Sequence, residues 1–187
     1  GSNVTGCGFK VPLSSLLRYF NHINKLDTIS VVFSGIEEDS VRQREELLKM
    51  CRRQDIQLRG MDIRNRGDIK LLQKMKYDDA VFLTSSSLAH LWIEDILAVT
   101  RKGKIPVSDI FPDQAEAGVL LTLYQPPGEQ GRKAAEMAAR ILAGEKANII
   151  DAEVMRQTEL VVNLLEAEQI DLTFPIQLLV EATRVIK

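Results

Sequence analysis

The chain has 187 residues, 45% of them hydrophobic, enough for one well-packed domain of ordinary size. Its formal charge of -2 and pI near 5.8 supply no field that would gather nucleic acid or anionic lipid. Cys7 and Cys51 are too few for a disulfide scaffold and lack metal-ligand spacing, so two reduced or buried thiols are expected, with a single bridge as the alternative.

In chain order, Leu13, Leu16, Leu17 and Phe20 recur at helical spacing within residues 11–23. Residues 28–33 form a β-branched run bounded by turn residues, a strand pattern. Asp39-Ser40 opens a helix in which Ser40 and Gln43 fit a capping box and Val41, Leu48 and Cys51 share a face. Residues 56–63 alternate as a second strand, and Asp68 is placed to cap a short helix over 69–75. Residues 80–83 read as a third, central strand. A helix over 88–101 follows, with Leu88, Leu91, Trp92, Ile96 and Val99 facing inward. Residues 105–107 make a fourth strand, where Pro106 suits an edge or a strand entry. Strands separated by helices of this length imply parallel pairing with right-handed crossovers. The expected fold class is α/β, an open, mainly parallel sheet flanked by helices.

Beyond Asp109 the rhythm changes, and the stretch to Gly118 is the expected hinge or crossover. Residues 119–124 are another strand candidate. Pro126-Pro127-Gly128 then breaks the chain before a helix over 131–142, whose apolar face (Ala134, Ala135, Ala138, Ile141, Leu142) is mostly small and suits close approach. Gly144 is placed to end it in a left-handed conformation. Two short strands are expected within 148–163. A Pro175-initiated helix running to Val185-Ile186 closes the chain.

No catalytic constellation accompanies this frame. Gly6-Cys7-Gly8 is too short for a dinucleotide fingerprint and follows no strand, and no Gly-Lys-Ser or Gly-Lys-Thr is present for a phosphate loop. Ser34-Gly35 and Thr84-Ser85 follow the strands where a phosphoacceptor receiver would want acidic residues. His22 and His90 read as surface or structural histidines, and Glu37-Glu38-Asp39 as a solvated loop and helix cap rather than a metal cluster. Ser85-Ser86-Ser87 stands out, because ligands of open α/β sheets bind where loops leave the carboxyl ends of strands. A plain helix cap is the other reading of that run. No apolar run approaches the roughly 18–20 residues needed to span a bilayer. No signal peptide is visible, and Gly1-Ser2-Asn3 is not a natural start, which points to a fragment or a processed product.

Taken in order, these pieces resemble the ABC-transporter substrate-binding protein family, related to the type I periplasmic binding proteins. Its Gly-x-Asn-Val-Thr-Gly motif stands here as residues 1–6, and its Tyr-Asn-Pro-x-Glu-x-Asn-Ser loop as Phe33-Ser34-Gly35-Ile36-Glu37-Glu38-Asp39-Ser40. The closing pattern is matched by Gly131, Ala134-Ala135, Ile141-Leu142, Gly144-Glu145, Val162-Asn163, Ala167, Pro175, Leu178-Leu179, Ala182 and Val185-Ile186. The chain departs from the family at Ser85-Ser86, where an Asp-Asn pair is common, at Asp39, usually Asn, and at Asp171, where Gly is common.

The resemblance implies a flavodoxin-like lobe and a division into three segments. Residues 1–112 would be the core of the α/β lobe, 113–146 a crossover strand and helix belonging to the other lobe of a full-length protein, and 147–187 a return segment. The apolar surface of 119–144 would need cover, from this lobe or from a second copy in a homodimer. The implied role is a solute-binding component of an ABC-type uptake system, without catalysis, cofactor or metal, holding a small metabolite such as an amino acid between lobes. The ligand-binding candidates are Ser34, Asp39, Ser40, Thr84, Ser85, Ser86 and Asp109. Ser40 and the Ser85/Ser86 hydroxyls with nearby helix N–H groups would hold a carboxylate; Asp39 or Asp109 would hold an amine or hydroxyl. A membrane permease is the implied partner, in a periplasmic or extracytoplasmic setting with a lipid anchor in the full-length protein. The alternative is the ligand-sensing domain of a signalling protein.

Overall fold

The structure is a computed structural model that describes residues 3–75 and 79–187; Gly1 and Ser2 of the Gly-x-Asn-Val-Thr-Gly stretch lie outside the described residues. The first half runs β1 (Cys7–Phe9), α1 (Leu13–Ile23), β2 (Thr28–Phe33), α2 (Glu38–Arg53), β3 (Gln57–Asp62), a 3-10 segment (Arg66–Met75), β4 (Ala80–Leu83), α3 (Ser87–Leu91), α4 (Ile93–Lys102) and β5 (Val107–Asp109). The second half runs α5 (Gln114–Ala117), β6 (Leu121–Tyr124), α6 (Pro127–Leu142), β7 (Glu153–Met155), β8 (Glu159–Asn163), α7 (Leu164–Gln169), α8 (Ile176–Glu181) and β9 (Arg184–Ile186). The chain forms two compact units, a smaller one of Gly1–Val11 and Tyr124–Glu159 and a larger one of Pro12–Leu123 and Leu160–Lys187.

The larger unit is built on a seven-stranded sheet of order β3-β2-β4-β5-β6-β8-β9. β2 pairs in parallel with β3 and β4, β4 with β5, β5 with β6, and β8 with β9. The Asn163 N–H donates to the Leu120 carbonyl at 3.0 Å, setting the end of β8 against the start of β6. All four residues of β4 are buried, as a central strand covered on both faces requires. Val81 and Leu83 face a core with Leu72 and Met75 of the 3-10 segment and Ile96 and Leu97 of α4. The alternate residue Phe82 joins Ile29, Leu16, Leu17, Phe20 and Leu47 beneath α1 and α2. Cys51 is buried and free, its thiol pushed up to about 11 by burial and therefore protonated; Cys7 is also free.

Three helices of this unit end on a non-glycine residue in the left-handed region: Asp55 after α2, Lys104 after α4 and Asp171 after α7, with φ of 54°, 53° and 55°. Each is followed by an N–H that reaches back to close the last turn: Ile56 to Cys51, Ile105 to Thr100 and Leu172 to Ala167. Gly118 ends α5 at φ 109°, and a Cβ there would stand 2.2 Å from the Arg101 guanidinium, which is bound to Glu166. Within residues 109–118, the expected hinge or crossover, α5 and two backbone bonds, Gly118 to Ala115 and Val119 to Gln114, give local order.

In the smaller unit, β1 and β7 pair in parallel as a two-stranded sheet. α6 lies on β1 through Gln130, whose backbone carbonyl accepts from Cys7 Sγ at 3.2 Å and whose side-chain amide donates to the Cys7 carbonyl at 3.3 Å. The only buried residue of α6 is Met137. The face expected to suit close approach is open in this chain: Ala134, Ala135 and Ala138 are exposed, and Ile141 and Leu142 are 40% and 89% exposed. Alanine buries too little surface to orient a helix, and Met137 decides which side turns inward. The helix also begins earlier than read, at Pro127. Gly144 does adopt the left-handed conformation, φ 100°.

Other expectations need correction. The helix expected over 88–101 breaks at Trp92, whose backbone is non-helical, and Leu91 is 69% exposed rather than inward. Leu47, not Leu48, is the buried leucine of α2. Pro106, by contrast, takes the strand-entry position, one of its two expected places, directly before the interior strand β5. The terminal helix stops at Glu181; Ala182 is extended, and the β-branched residues beyond it add β9 to the sheet. β1 and α7 carried too short a period to be read from sequence.

Candidate functional site

Because β2, β3, β4 and β5 run parallel, their carboxyl ends share one edge of the larger sheet. There Ser34 follows β2, Thr84-Ser85-Ser86 follow β4, and Asp109 ends β5. The edge is knitted by a directed chain of hydrogen bonds. The Ser34 N–H donates to Ser40 Oγ at 2.9 Å, Ser40 and Thr84 hydroxyls lie 2.6 Å apart, and Thr84 Oγ1 donates to the Val32 carbonyl at 3.1 Å. With the Thr84 proton committed to Val32, the Ser40 hydroxyl donates to Thr84. Ser34, Ser40 and Thr84 are all fully buried. Ser40 thus sits inside the first turn of α2, and the expected capping box does not form; Gln43 Oε1 instead accepts from the Ser85 N–H at 2.8 Å.

Glu37 ties the β2 exit to the β4 exit. Its carboxylate accepts from Ser86 Oγ at 2.5 Å and from the Ser87 N–H at 2.9 Å. Ser86 Oγ also accepts from the Ala89 N–H at 3.1 Å, capping α3. Glu37 is half-buried at the N-cap position of α2, but its side chain makes no capping bond to that helix. On the β3 side, Asp62 Oδ1 accepts the Gly35 N–H at 2.7 Å and Oδ2 pairs with Arg64 at 2.7–2.8 Å. Burial works to raise the Asp62 pKa, but the Arg64 and Gly35 bonds outweigh it and hold the carboxyl below its ordinary value.

His90 ties the β4 exit to the β5 exit. Its Nδ1 lies 2.6 Å from the Ser86 carbonyl and its Nε2 2.7 Å from Asp109 Oδ2. Asp109 Oδ1 accepts the N–H groups of Ile110 and Phe111 at 2.6 and 2.9 Å, and the Phe111 ring stands edge-on to the imidazole. Burial acts to lower the His90 pKa. The Asp109 bond and charge, the Ser86 carbonyl and the Glu37 charge win, and the value lies above the ordinary one.

The structure thus joins six of the seven expected site residues, directly or through Gln43, Glu37 and His90; Asp39 stands apart, exposed on α2. Here the Ser40 and Ser86 hydroxyls serve bonds within the chain, and N–H groups at the head of α3 hold Glu37 and Ser86. Asp109 is fully buried and bonded to protein groups on both oxygens, so it does not offer a free carboxylate. Ser85 is half-buried and its Oγ has no hydrogen-bond partner, nor does the buried Oγ of Ser34. Gly35, Ile36 and Ser87 are exposed beside them, and Phe111 is half-buried. Sequence reasoning missed Glu37 and His90. The signal for Glu37 was its place in the Tyr-Asn-Pro-x-Glu stretch; for His90, its position three residues past the serine run.

A parallel sheet with helices on its faces and a braced carboxyl edge is an open α/β lobe, the frame in which ligands meet the ends of the strands. The sequence profile of the family described as ABC transporter substrate binding protein matches residues 1–186, and the chain belongs to that family. Among solved structures, a conserved domain protein from Vibrio cholerae is similar with a TM-score of 0.89 at 24% identity, over 99% of this chain and 64% of its own. The ABC domain in complex with L-Trp from Streptococcus pneumonia has a TM-score of 0.86 at 20% identity, covering 100% of this chain and 66% of that one. A ligand-free, open substrate binding protein with adhesive properties from Clostridium difficile gives 0.82 at 20%, over 100% and 64%. At these identities the likeness shows the fold, that of the type I periplasmic binding proteins. The chain spans under two thirds of the length of these structures. No curated protein matches the chain.

Proposed function

We propose that the chain is the solute-binding component of an ABC-type uptake system, and that the carboxyl edge of β2, β4 and β5 is one wall of its ligand cleft. The observation that carries this reading is the bracing of that edge. Ser40, Glu37, Gln43 and His90 hold three exit loops in one arrangement before any solute arrives, which lowers the ordering cost of binding. Family membership over residues 1–186 supports the same reading. In this proposal Ser34, Ser40, Thr84, Ser86 and Asp109 shape the wall, while Ser85, Ser87, the Gly35-Ile36 backbone and Phe111 meet the solute. Asp39 contributes charge at the rim. An amino acid or related small metabolite is the proposed solute class. It fits a wall that sets the unpartnered Ser85 hydroxyl beside the apolar surface of Ile36 and Phe111. In this proposal closure of the cleft presents the loaded form to a membrane permease, and the whole protein works outside the cytoplasm. Among the described residues no helix is long and apolar enough to cross a membrane.

A thermal-shift panel of amino acids and related metabolites, read alongside native mass spectrometry, tests the proposal. One chemical class should raise the melting temperature and ride with the protein into the gas phase, and Ser85→Trp should abolish both signals while the protein stays folded. If no member of the panel shifts melting and no small molecule accompanies the purified chain, the proposal fails.

A further inference from the structure

His90 is held by two acceptors and no donor. A backbone carbonyl can only accept, so Nδ1 must carry a proton to bond Ser86, and Asp109 Oδ2 takes a proton from Nε2 across 2.7 Å. Neither neutral tautomer meets both demands. A proton on Nδ1 alone leaves the Nε2 lone pair against Asp109, and a proton on Nε2 alone leaves a lone pair against the Ser86 carbonyl. The imidazole side chain is 14% exposed and Asp109 is fully buried, so water cannot readily replace the lost bond. The charged groups facing the ring are Asp109 from β5 and, at longer range, Glu37 from the head of α2; both favour the cation. Ser86 and Asp109 belong to the two exit loops that flank the solute wall.

We infer that His90, as an imidazolium, is a positioning residue that fastens the β4 exit loop to the β5 exit loop, so that solute affinity falls when His90 loses its proton. This rests on the solute-binding reading above. His90 touches no solute in this account; it acts through Ser86 and Asp109. Deprotonation frees one loop from the other, and the wall formed by Ser85 and Phe111 loses its fixed spacing. The direction follows from linkage. With the folded pKa raised above 6.5, the contribution of His90 is fully present below that pH and disappears as pH rises through the folded value.

The test has two arms. In the ligand-free protein, the His90 ring-proton resonances are followed by NMR against pH, together with the amide resonances of Ile110 and Phe111. The His90 midpoint should lie above 6.5, the two amides should shift with the same midpoint, and Asp109→Asn should lower it. A midpoint below 6.5, or amides indifferent to it, overturns the inference. In the second arm, the affinity of the amino acid found by the thermal-shift panel is measured across the same range. Wild type should weaken by about tenfold on crossing the midpoint, the worth of one charge-assisted hydrogen bond. His90→Gln, which cannot titrate, should show no such step. A solute that binds with pH-independent affinity sinks the role of His90 and leaves the binding reading intact. A panel with no binder sinks the binding reading and with it the effect on affinity, while the first arm still decides whether His90 fastens the loops.

Discussion

The two units of this chain are built from the same kinds of element yet bury them to different extents. In the larger unit β4 is wholly buried and covered on both faces, and its helices contribute Leu16, Leu17, Phe20, Leu47, Ile96 and Leu97 at 2% exposure or less. In the smaller unit a two-stranded sheet carries a 16-residue helix that buries one side chain, Met137. Two strands and one long helix enclose little core: the smaller unit buries Val11, Met137, Ala147 and Ile150, with Gln125 bridging Lys10 and Met155 and Gln130 bonded to Cys7. The contrast teaches that stability in this chain follows coverage of the sheet rather than the quality of individual helices.

The comparison can be broken most forcefully in the core. Phe82→Ala should destabilise the larger unit by about 3–5 kcal/mol in denaturant melts, because the ring is fully enclosed beneath α1 and α2. A cost below 1 kcal/mol would mean the larger core is not close-packed. Gly118→Ala should cost roughly 2 kcal/mol, since the left-handed backbone penalises a Cβ and that Cβ displaces Arg101 from Glu166. Equal stability of the two proteins would show that this turn relaxes freely. Ser40→Ala removes the acceptor of the Ser34 N–H and the donor to Thr84 in a buried setting, for about 1–3 kcal/mol. Faster amide exchange at Ser34 should accompany it, and unaltered exchange there would contradict the bracing. At the small end, Leu142→Ser on the smaller unit should change stability by no more than about 0.5 kcal/mol, because Leu142 is 89% exposed. A large loss would show that this helix face is covered in solution.

Much of the frame was legible beforehand. β2 and β4 have the expected bounds, because an uninterrupted apolar run such as Ala80-Val81-Phe82-Leu83 has no helical period to compete with its strand reading. Gly144 ended its helix as expected, since only backbone geometry is at stake there. The site was legible as a place but not as a mechanism. The serine run correctly marked the edge where β2, β4 and β5 end, but which hydroxyls turn inward was not visible. That depends on Glu37, 49 and 50 positions from the Ser86 and Ser87 groups it binds, and on His90, 4 and 19 positions from Ser86 and Asp109.

From its residue order alone the chain determined its parallel α/β character, its central strand and its family, because hydrophobic period and motif spacing are local properties. Only the tertiary structure decided that Met137 is the side chain α6 buries, and that the final Val185-Ile186 adds a strand instead of extending a helix. It also decided that His90 stands between Ser86 and Asp109. Each of these outcomes is set by competition for neighbours distant in sequence. Burial and hydrogen-bond satisfaction settle that competition, and a short window of residues does not contain them.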